Sequence, residues 1–241
     1  MNRNVARNKI IFALDVGTVA EIDRWAELLS GKVGMFKVGK ELFTSCGPAA
    51  VTAVQRHGGQ VFLDLKYHDI PNTVARAMVS AARLGVQLVN LHALGGGEMM
   101  ESTVAAVQKE FNNSERPRLL AVTILTSSTV ETLRQVGIEH PVQDMVVRLA
   151  RLAKNSGMDG VVASPLEIEP IRAACGPDFL IVTPGVRPTF AAADDQKRIM
   201  TPAQAVGAGA DYLVIGRPIA AALDPALAAE LITDEIMAGA L

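Results

Sequence analysis

Short runs of apolar residues recur along the chain, and the stretches between them return to apolar positions every three or four residues. The runs read as buried parallel strands at Ile10–Val16, Met35–Gly39, Gln60–Lys66, Leu88–His92, Leu119–Leu125, Gly160–Ala163, Phe179–Thr183 and Tyr212–Ile215. Between them, stretches such as Val19–Ser30, Val74–Leu84 and Val142–Ser156 read as crossover helices, with Gly31, Gly85 and Gly157 where helices end. Thr201-Pro202 has the form of an N-cap followed by a first-turn proline. The polar stretch Gln108–Arg118 reads as a helix end and a loop. Eight strand–helix units in 241 residues predict a (β/α)8 TIM barrel, a single α/β domain over residues 1–241. An open doubly wound sheet is the alternative, but no Gly-x-Gly-x-x-Gly follows the first strand.

One polar interruption stands out. The segment Phe62-Leu63-Asp64-Leu65-Lys66-Tyr67-His68-Asp69-Ile70-Pro71-Asn72 places three charges at the end of a strand. Alternation puts Asp64 and Lys66 on one side, with Leu63 and Leu65 packed behind. Charges are rarely buried unless paired or put to use. A structural Asp–Lys pair with Asp69 in solvent also fits this segment taken alone. Barrel enzymes carry their chemistry at the C-terminal ends of strands, and other polar residues gather there. Asp15 ends the first strand, Lys37 lies in the second, Thr126 follows the fifth and Arg217 follows the eighth. Singly, Asp15 could serve a turn, Lys37 could snorkel out, and Thr126-Ser127-Ser128 could cap a helix. Gathered on one face, they point to an active site.

The last two strand ends suggest a phosphate site. Thr183-Pro184-Gly185-Val186-Arg187-Pro188 precedes a loop without hydrophobic periodicity, and Ile215-Gly216-Arg217-Pro218 leaves the eighth strand toward a helix start. Loops after strands seven and eight often bind phosphate in this fold, and Gly216 permits close backbone approach. Arg187 and Arg217 can add planar, charge-assisted hydrogen bonds. A tight exit with a solvated arginine is the plainer reading.

Composition narrows the partners. Hydrophobic residues make up 49% of the chain, enough for a large core, and a net charge of −2 supplies no global basic field for nucleic acid or an anionic membrane. An anionic ligand would need a local basic pocket. Cys46 and Cys175 lie far apart and are expected to be free thiols. No apolar region follows the charges of Met1–Arg7, and nowhere do eighteen apolar residues run together, so a soluble cytoplasmic protein is expected. His57, His68, His92 and His140 lack metal-ligand spacing, so no metal is expected, and His92 reads as a hydrogen-bonded barrel residue.

Asp64-Leu65-Lys66-Tyr67-His68-Asp69-Ile70-Pro71-Asn72-Thr73 closely resembles the signature of the orotidine 5′-monophosphate decarboxylase family. The likeness extends to Leu14-Asp15, Lys37-Val38-Gly39-Lys40, Val122–Ser127, Thr183–Pro188, Asp195-Gln196 and Val214–Pro218, from about Ile10 to Pro225, without departure at the motif positions. The resemblance implies a cofactor-free, homodimeric barrel that converts orotidine 5′-monophosphate to uridine 5′-monophosphate. By position, Lys66 matches the proton donor to pyrimidine C6, and Asp64 lies against the substrate carboxylate. Asp69, Ile70 and Thr73 match residues that reach the partner subunit's site. Lys37 completes an alternating Lys–Asp chain, Asp15 holds a ribose hydroxyl, and Thr126 lies near the pyrimidine. Arg187, Gln196, Gly216 and Arg217 match the phosphate grip, with the loop from Arg187 to Gln196 closing over it.

This chemistry suits these residue types. Decarboxylation leaves an electron pair on carbon, which many enzymes pass to a cofactor. Without one, a fixed ammonium beside the carbon can stabilise the charge, and flanking carboxylates favour the charged form of an ammonium. Two unit charges 4 Å apart interact by roughly 4 kcal/mol at an effective dielectric near 20, so repulsion of the substrate carboxylate is relieved as carbon dioxide leaves. Two other readings remain open at this point. One is a metal-dependent sugar-phosphate aldolase or decarboxylase on a related barrel, and the other is a non-catalytic barrel that binds a phosphate ligand.

Overall fold

In the computed structural model, residues 1–191 and 200–239 are described. Helix α1 (Arg3–Asn8) leads into β1 (Ile10–Leu14), α2 (Val19–Leu29) and β2 (Met35–Gly39). Two helices, α3 (Lys40–Cys46) and α4 (Ala49–Arg56), precede β3 (Val61–Tyr67), α5 (Pro71–Ala82), β4 (Leu88–His92) and α6 (Gly97–Glu110). Then come β5 (Arg118–Val122), α7 (Val130–Gln135), α8 (Val142–Asn155), β6 (Gly160–Val162), α9 (Ile168–Cys175) and β7 (Leu180–Pro184). The chain finishes with α10 (Pro202–Gly207), β8 (Tyr212–Ile215), α11 (Arg217–Ala220) and α12 (Pro225–Ala238). The strands close into a parallel barrel in chain order, with β1 paired to both β2 and β8. This is the (β/α)8 barrel that the pattern predicts.

Side-chain alternation divides the core in two. Ile11, Met35, Phe62, Leu88, Leu120, Val182 and Val214 pack inside the barrel, so its lumen is filled rather than open. Their strand neighbours Ile10, Phe12, Phe36, Leu63, Val89, Leu91 and Ile181 face outward against the helices. Helix α8 buries Met145, Val146, Leu149, Ala150 and Ala153, a stripe at helical spacing that docks on the sheet. Thr201 caps α10 through the N–H of Gln204, with Pro202 in the first turn, as the dipeptide predicts.

Five of the expected strands, the first, third, fifth, sixth and seventh, have bounds shifted by one to three residues, and the amino-terminal segment adds a helix that the pattern did not predict. The apolar run Leu119–Leu125 reads as one strand, yet β5 ends at Val122, because Ile124 and Leu125 line a cavity at the mouth of the barrel. The amino-terminal segment forms α1, whose Asn2 side chain accepts from the Val5 N–H and whose Ala6 is fully buried.

Charge at the N-terminal end of the barrel serves stability. Asp159, just before β6, accepts from the Leu119 N–H at 2.7 Å and from Arg116 at 2.5 and 2.8 Å. Burial pushes the Asp159 carboxyl up, but the Arg116 hydrogen bonds, the Leu119 N–H and the charges of Arg116 and Arg118 outweigh it and hold it below the usual range. Asp159→Ala should therefore cost about 3 kcal/mol, because Arg116 and the Leu119 N–H lose their partner. Urea unfolding of wild type and variant measures that difference. A carboxyl depressed by folding stabilises fully above its unfolded value of about 4, so the difference should shrink as pH falls below that.

Candidate active site

The charged residues singled out in the sequence meet at the C-terminal end of the strands. Lys66 Nζ donates to Asp64 Oδ1 at 2.6 Å. Lys37 Nζ lies 3.8 Å from the other Asp64 oxygen and 3.5 Å from Asp15 Oδ1. Charges thus alternate Asp15, Lys37, Asp64, Lys66 across β1, β2 and β3. Burial pushes the Asp64 carboxyl up, but Lys66 and Lys37, with hydrogen bonds from Lys66 and Asn90, overcome it and hold it below the usual carboxylate range. Asp64 therefore stands ionised at neutral pH, although its residue is only 8% exposed.

Strand β3 does not reach this geometry as a regular strand. Leu63 pairs with Val89 and Tyr67 with Leu91, so β3 uses four residues where β4 uses two. Within that bulge Lys66 takes φ 51°, the sole positive φ at a non-glycine position among the described residues. The expectation that Asp64 and Lys66 share a side through simple alternation is corrected accordingly. They do meet, by way of a bulge and a left-handed turn of the backbone. Asn90, on β4 and absent from the sequence-based candidates, accepts the Lys66 N–H at 2.8 Å and donates to Asp64 at 2.6 Å. An asparagine inside an otherwise apolar strand was the signal that could have found it.

Two adjoining cavities meet at Lys37. One, of about 200 Å³, is lined by Lys37, Phe62, Asp64, Lys66, Ile124 and Thr126, among others. The second, of about 310 Å³, is lined by Asp15, Lys37, Gly185, Arg187, Gly216 and Arg217, among others. Lys37 and Val214 border both, so a charged, partly apolar chamber opens beside a basic one. A Cβ added to Gly216 would stand 3.3 Å from the Ala13 Cβ and 3.6 Å from an Asp15 oxygen, so a side chain there would press on Ala13 at the wall of the second cavity. A further cavity of about 500 Å³ lies at the opposite end of the barrel, against Arg7, Lys9 and Tyr212, away from the strand C-termini.

Other expected site residues stand apart. Asp69, Ile70 and Thr73 line neither of the two adjoining cavities. Asp69 accepts from the Ile70 N–H at 2.6 Å at the start of α5, and Ile70 is 66% exposed. Gln196 falls outside the described residues, as do residues 192–195 of the loop that leads to it. His92 is expected to be hydrogen-bonded, yet its buried Nδ1 has no partner among the described residues, and its ring instead tilts against His68 at 5.8 Å. Burial, with His68, Lys40 and Lys66 nearby, lowers His92 to about 4, so it borders the site as a neutral ring at neutral pH. Cys46 and Cys175 are both free thiols. No described helix is long and apolar enough to cross a membrane. Among the described residues, no three His, Cys, Asp or Glu side chains gather as a metal site would require.

The same residues can be compared with known proteins. A model of the family described as orotidine 5′-phosphate decarboxylase / HUMPS matches residues 8–232. A relative from Trichlorobacter lovleyi named orotidine 5′-phosphate decarboxylase is 78% identical over 239 residues, 99% of each chain. One from Geobacter sulfurreducens with the same name is 71% identical, covering 99% of this chain and 100% of its own. A crystal structure of the Lactobacillus acidophilus orotidine 5′-phosphate decarboxylase superposes with a TM-score of 0.83 at 38% identity, covering 94% of this chain and 98% of that one.

Proposed function

The chain belongs to the orotidine 5′-phosphate decarboxylase / HUMPS family, and on that premise we propose that it converts orotidine 5′-phosphate to uridine 5′-phosphate with Lys66 as proton donor. The observation that carries this reading is the pair of cavities joined at Lys37. A nucleoside monophosphate has a planar base at one end and a dianion at the other. The chamber walled by Phe62, Ile124, Thr126 and the Asp64–Lys66 pair suits the base. The chamber with Arg187, Gly216 and Arg217 suits the phosphate, and Asp15 and Lys37 between them suit the ribose hydroxyls.

The chemistry follows from that placement. The bond from C6 to the carboxylate breaks, carbon dioxide leaves, and the electron pair stays on C6. Asp64, ionised and held beside Lys66, repels the substrate carboxylate but not the neutral product. The Lys66 ammonium stabilises the developing charge and then passes a proton to C6, becoming an amine that solvent reprotonates. No cofactor enters these steps. Phosphate binding remote from C6 lets binding energy act on the reacting end.

A single barrel domain that works as a homodimer in the cytoplasm completes the proposal. Asp69, Ile70 and Thr73 then serve the partner's site, which accounts for an exposed Ile70 at the mouth of the barrel. In that compartment the two thiols stay reduced.

Substrate choice tests the function. Purified protein should release carbon dioxide and uridine 5′-phosphate from orotidine 5′-phosphate, and should leave a hexulose phosphate with magnesium untouched. Turnover of the sugar phosphate alone would move the chain to the other arm of its family. Arg217→Ala tests the phosphate end. Loss of a charge-assisted contact should lower kcat/KM roughly 10- to 100-fold, with kcat falling as well as KM rising. Steady-state kinetics unchanged from wild type would remove Arg217 from the site.

A further inference from the structure

We infer that Asn90 is a positioning residue for the decarboxylation, holding the Asp64 carboxylate and the Lys66 backbone together so that the ammonium faces C6. The inference rests on the reading of Lys66 as proton donor. Asn90 is fully buried and shares the lumen with apolar side chains such as Phe62, Leu88 and Leu120. A buried amide needs partners for both its donor and its acceptor. Here Oδ1 accepts the Lys66 N–H at 2.8 Å and Nδ2 donates to Asp64 Oδ1 at 2.6 Å. A backbone N–H must meet an oxygen and a carboxylate must meet an N–H, so the amide can sit only one way round.

The backbone explains why such a clamp is needed. The register slip between β3 and β4 leaves the Lys66 N–H without a place in the regular ladder, and the Asn90 side chain takes it up. Lys66 is also held at φ 51°, a conformation that a lysine does not favour and that persists only where its surroundings enforce it. The same asparagine fixes the Asp64 oxygen that accepts from Lys66 Nζ. Asp64 and the two ends of Lys66 are thereby locked into one ring of hydrogen bonds. Asn90 itself does not line the substrate cavity, so its effect passes through Asp64 and Lys66.

Three variants and two readouts test this. Asn90→Ala should lower kcat by about 10²-fold while KM and the Kd for uridine 5′-phosphate stay within about threefold, since a small misplacement harms chemistry more than binding. Asn90→Ser, too short to reach both groups, should show the same split and serves if the alanine variant does not fold. Asn90→Asp gives a signature that loss of packing alone would not. Its ionised carboxylate can accept from Lys66 but cannot donate to Asp64, whereas its protonated form can do both. The new carboxylate beside Asp64 makes a pair that takes up one shared proton more readily than either alone, so kcat relative to wild type should rise as pH falls from about 8 to about 5. Wild-type kcat in the alanine and serine variants, parallel losses of kcat and product binding, or an Asn90→Asp profile parallel to wild type would overturn the inference. If the wild-type protein does not turn over orotidine 5′-phosphate at all, the decarboxylase reading fails instead, and the two failures are told apart.

Discussion

Lys66→Ala is expected to lower kcat for orotidine 5′-phosphate by at least about 10⁴-fold while uridine 5′-phosphate still binds. Two contributions vanish together, the proton delivered to C6 and the positive charge that stabilises the electron pair there. Structural collapse does not account for the loss, because alanine keeps the backbone N–H that Asn90 holds, and Asp64 keeps Asn90 and Lys37. The groups expected to hold ribose and phosphate, Asp15, Arg187 and Arg217, line the neighbouring cavity and are untouched. Absorbance kinetics and a calorimetric titration with uridine 5′-phosphate separate turnover from binding. Turnover within tenfold of wild type would remove Lys66 from the proton-donor role.

Mixing inactive Lys66→Ala subunits with inactive Asp69→Ala subunits should restore activity. In a shared site, Lys66 comes from one subunit and Asp69 from its partner. Each mixed dimer then holds one site with both changes and one with neither. Random reassortment makes half the dimers mixed, so recovery should approach about a quarter of wild-type activity. The placement of Asp69 motivates the test: within its own chain it lines neither adjoining cavity and is engaged by the Ile70 N–H. An Asp69 that only supports the start of α5 would give no recovery, even with mixed dimers demonstrated by differential tagging.

The barrel was legible because the strands are compact, mostly apolar runs, with β3 charged only toward its end, and helices such as α8 keep their apolar stripe. Met35–Gly39, Leu88–His92 and Tyr212–Ile215 have the same bounds in sequence and structure. The fifth run extended too far because the apolar residues beyond Val122 wall a cavity instead of pairing, and hydrophobicity alone does not separate those uses. Asp15, Lys37, Asp64 and Lys66 were legible because charges at strand ends in a barrel need a reason to be there. Asn90 could be noticed as a polar residue in a buried strand, but its partners could not, since they depend on a register slip between two strands that periodicity within one strand cannot reveal. Asp69 and Thr73 look by residue type like ordinary exposed positions at a helix start, and only the family resemblance singled them out.

Progress curves of orotidine 5′-phosphate decarboxylation by wild-type protein treated with EDTA, with Lys66→Ala alongside, test the central claim most directly. A lysine charge acting without metal predicts full-rate conversion to uridine 5′-phosphate by the wild type and none by the variant. Activity lost to EDTA and restored by magnesium, or conversion that persists in Lys66→Ala, would contradict it.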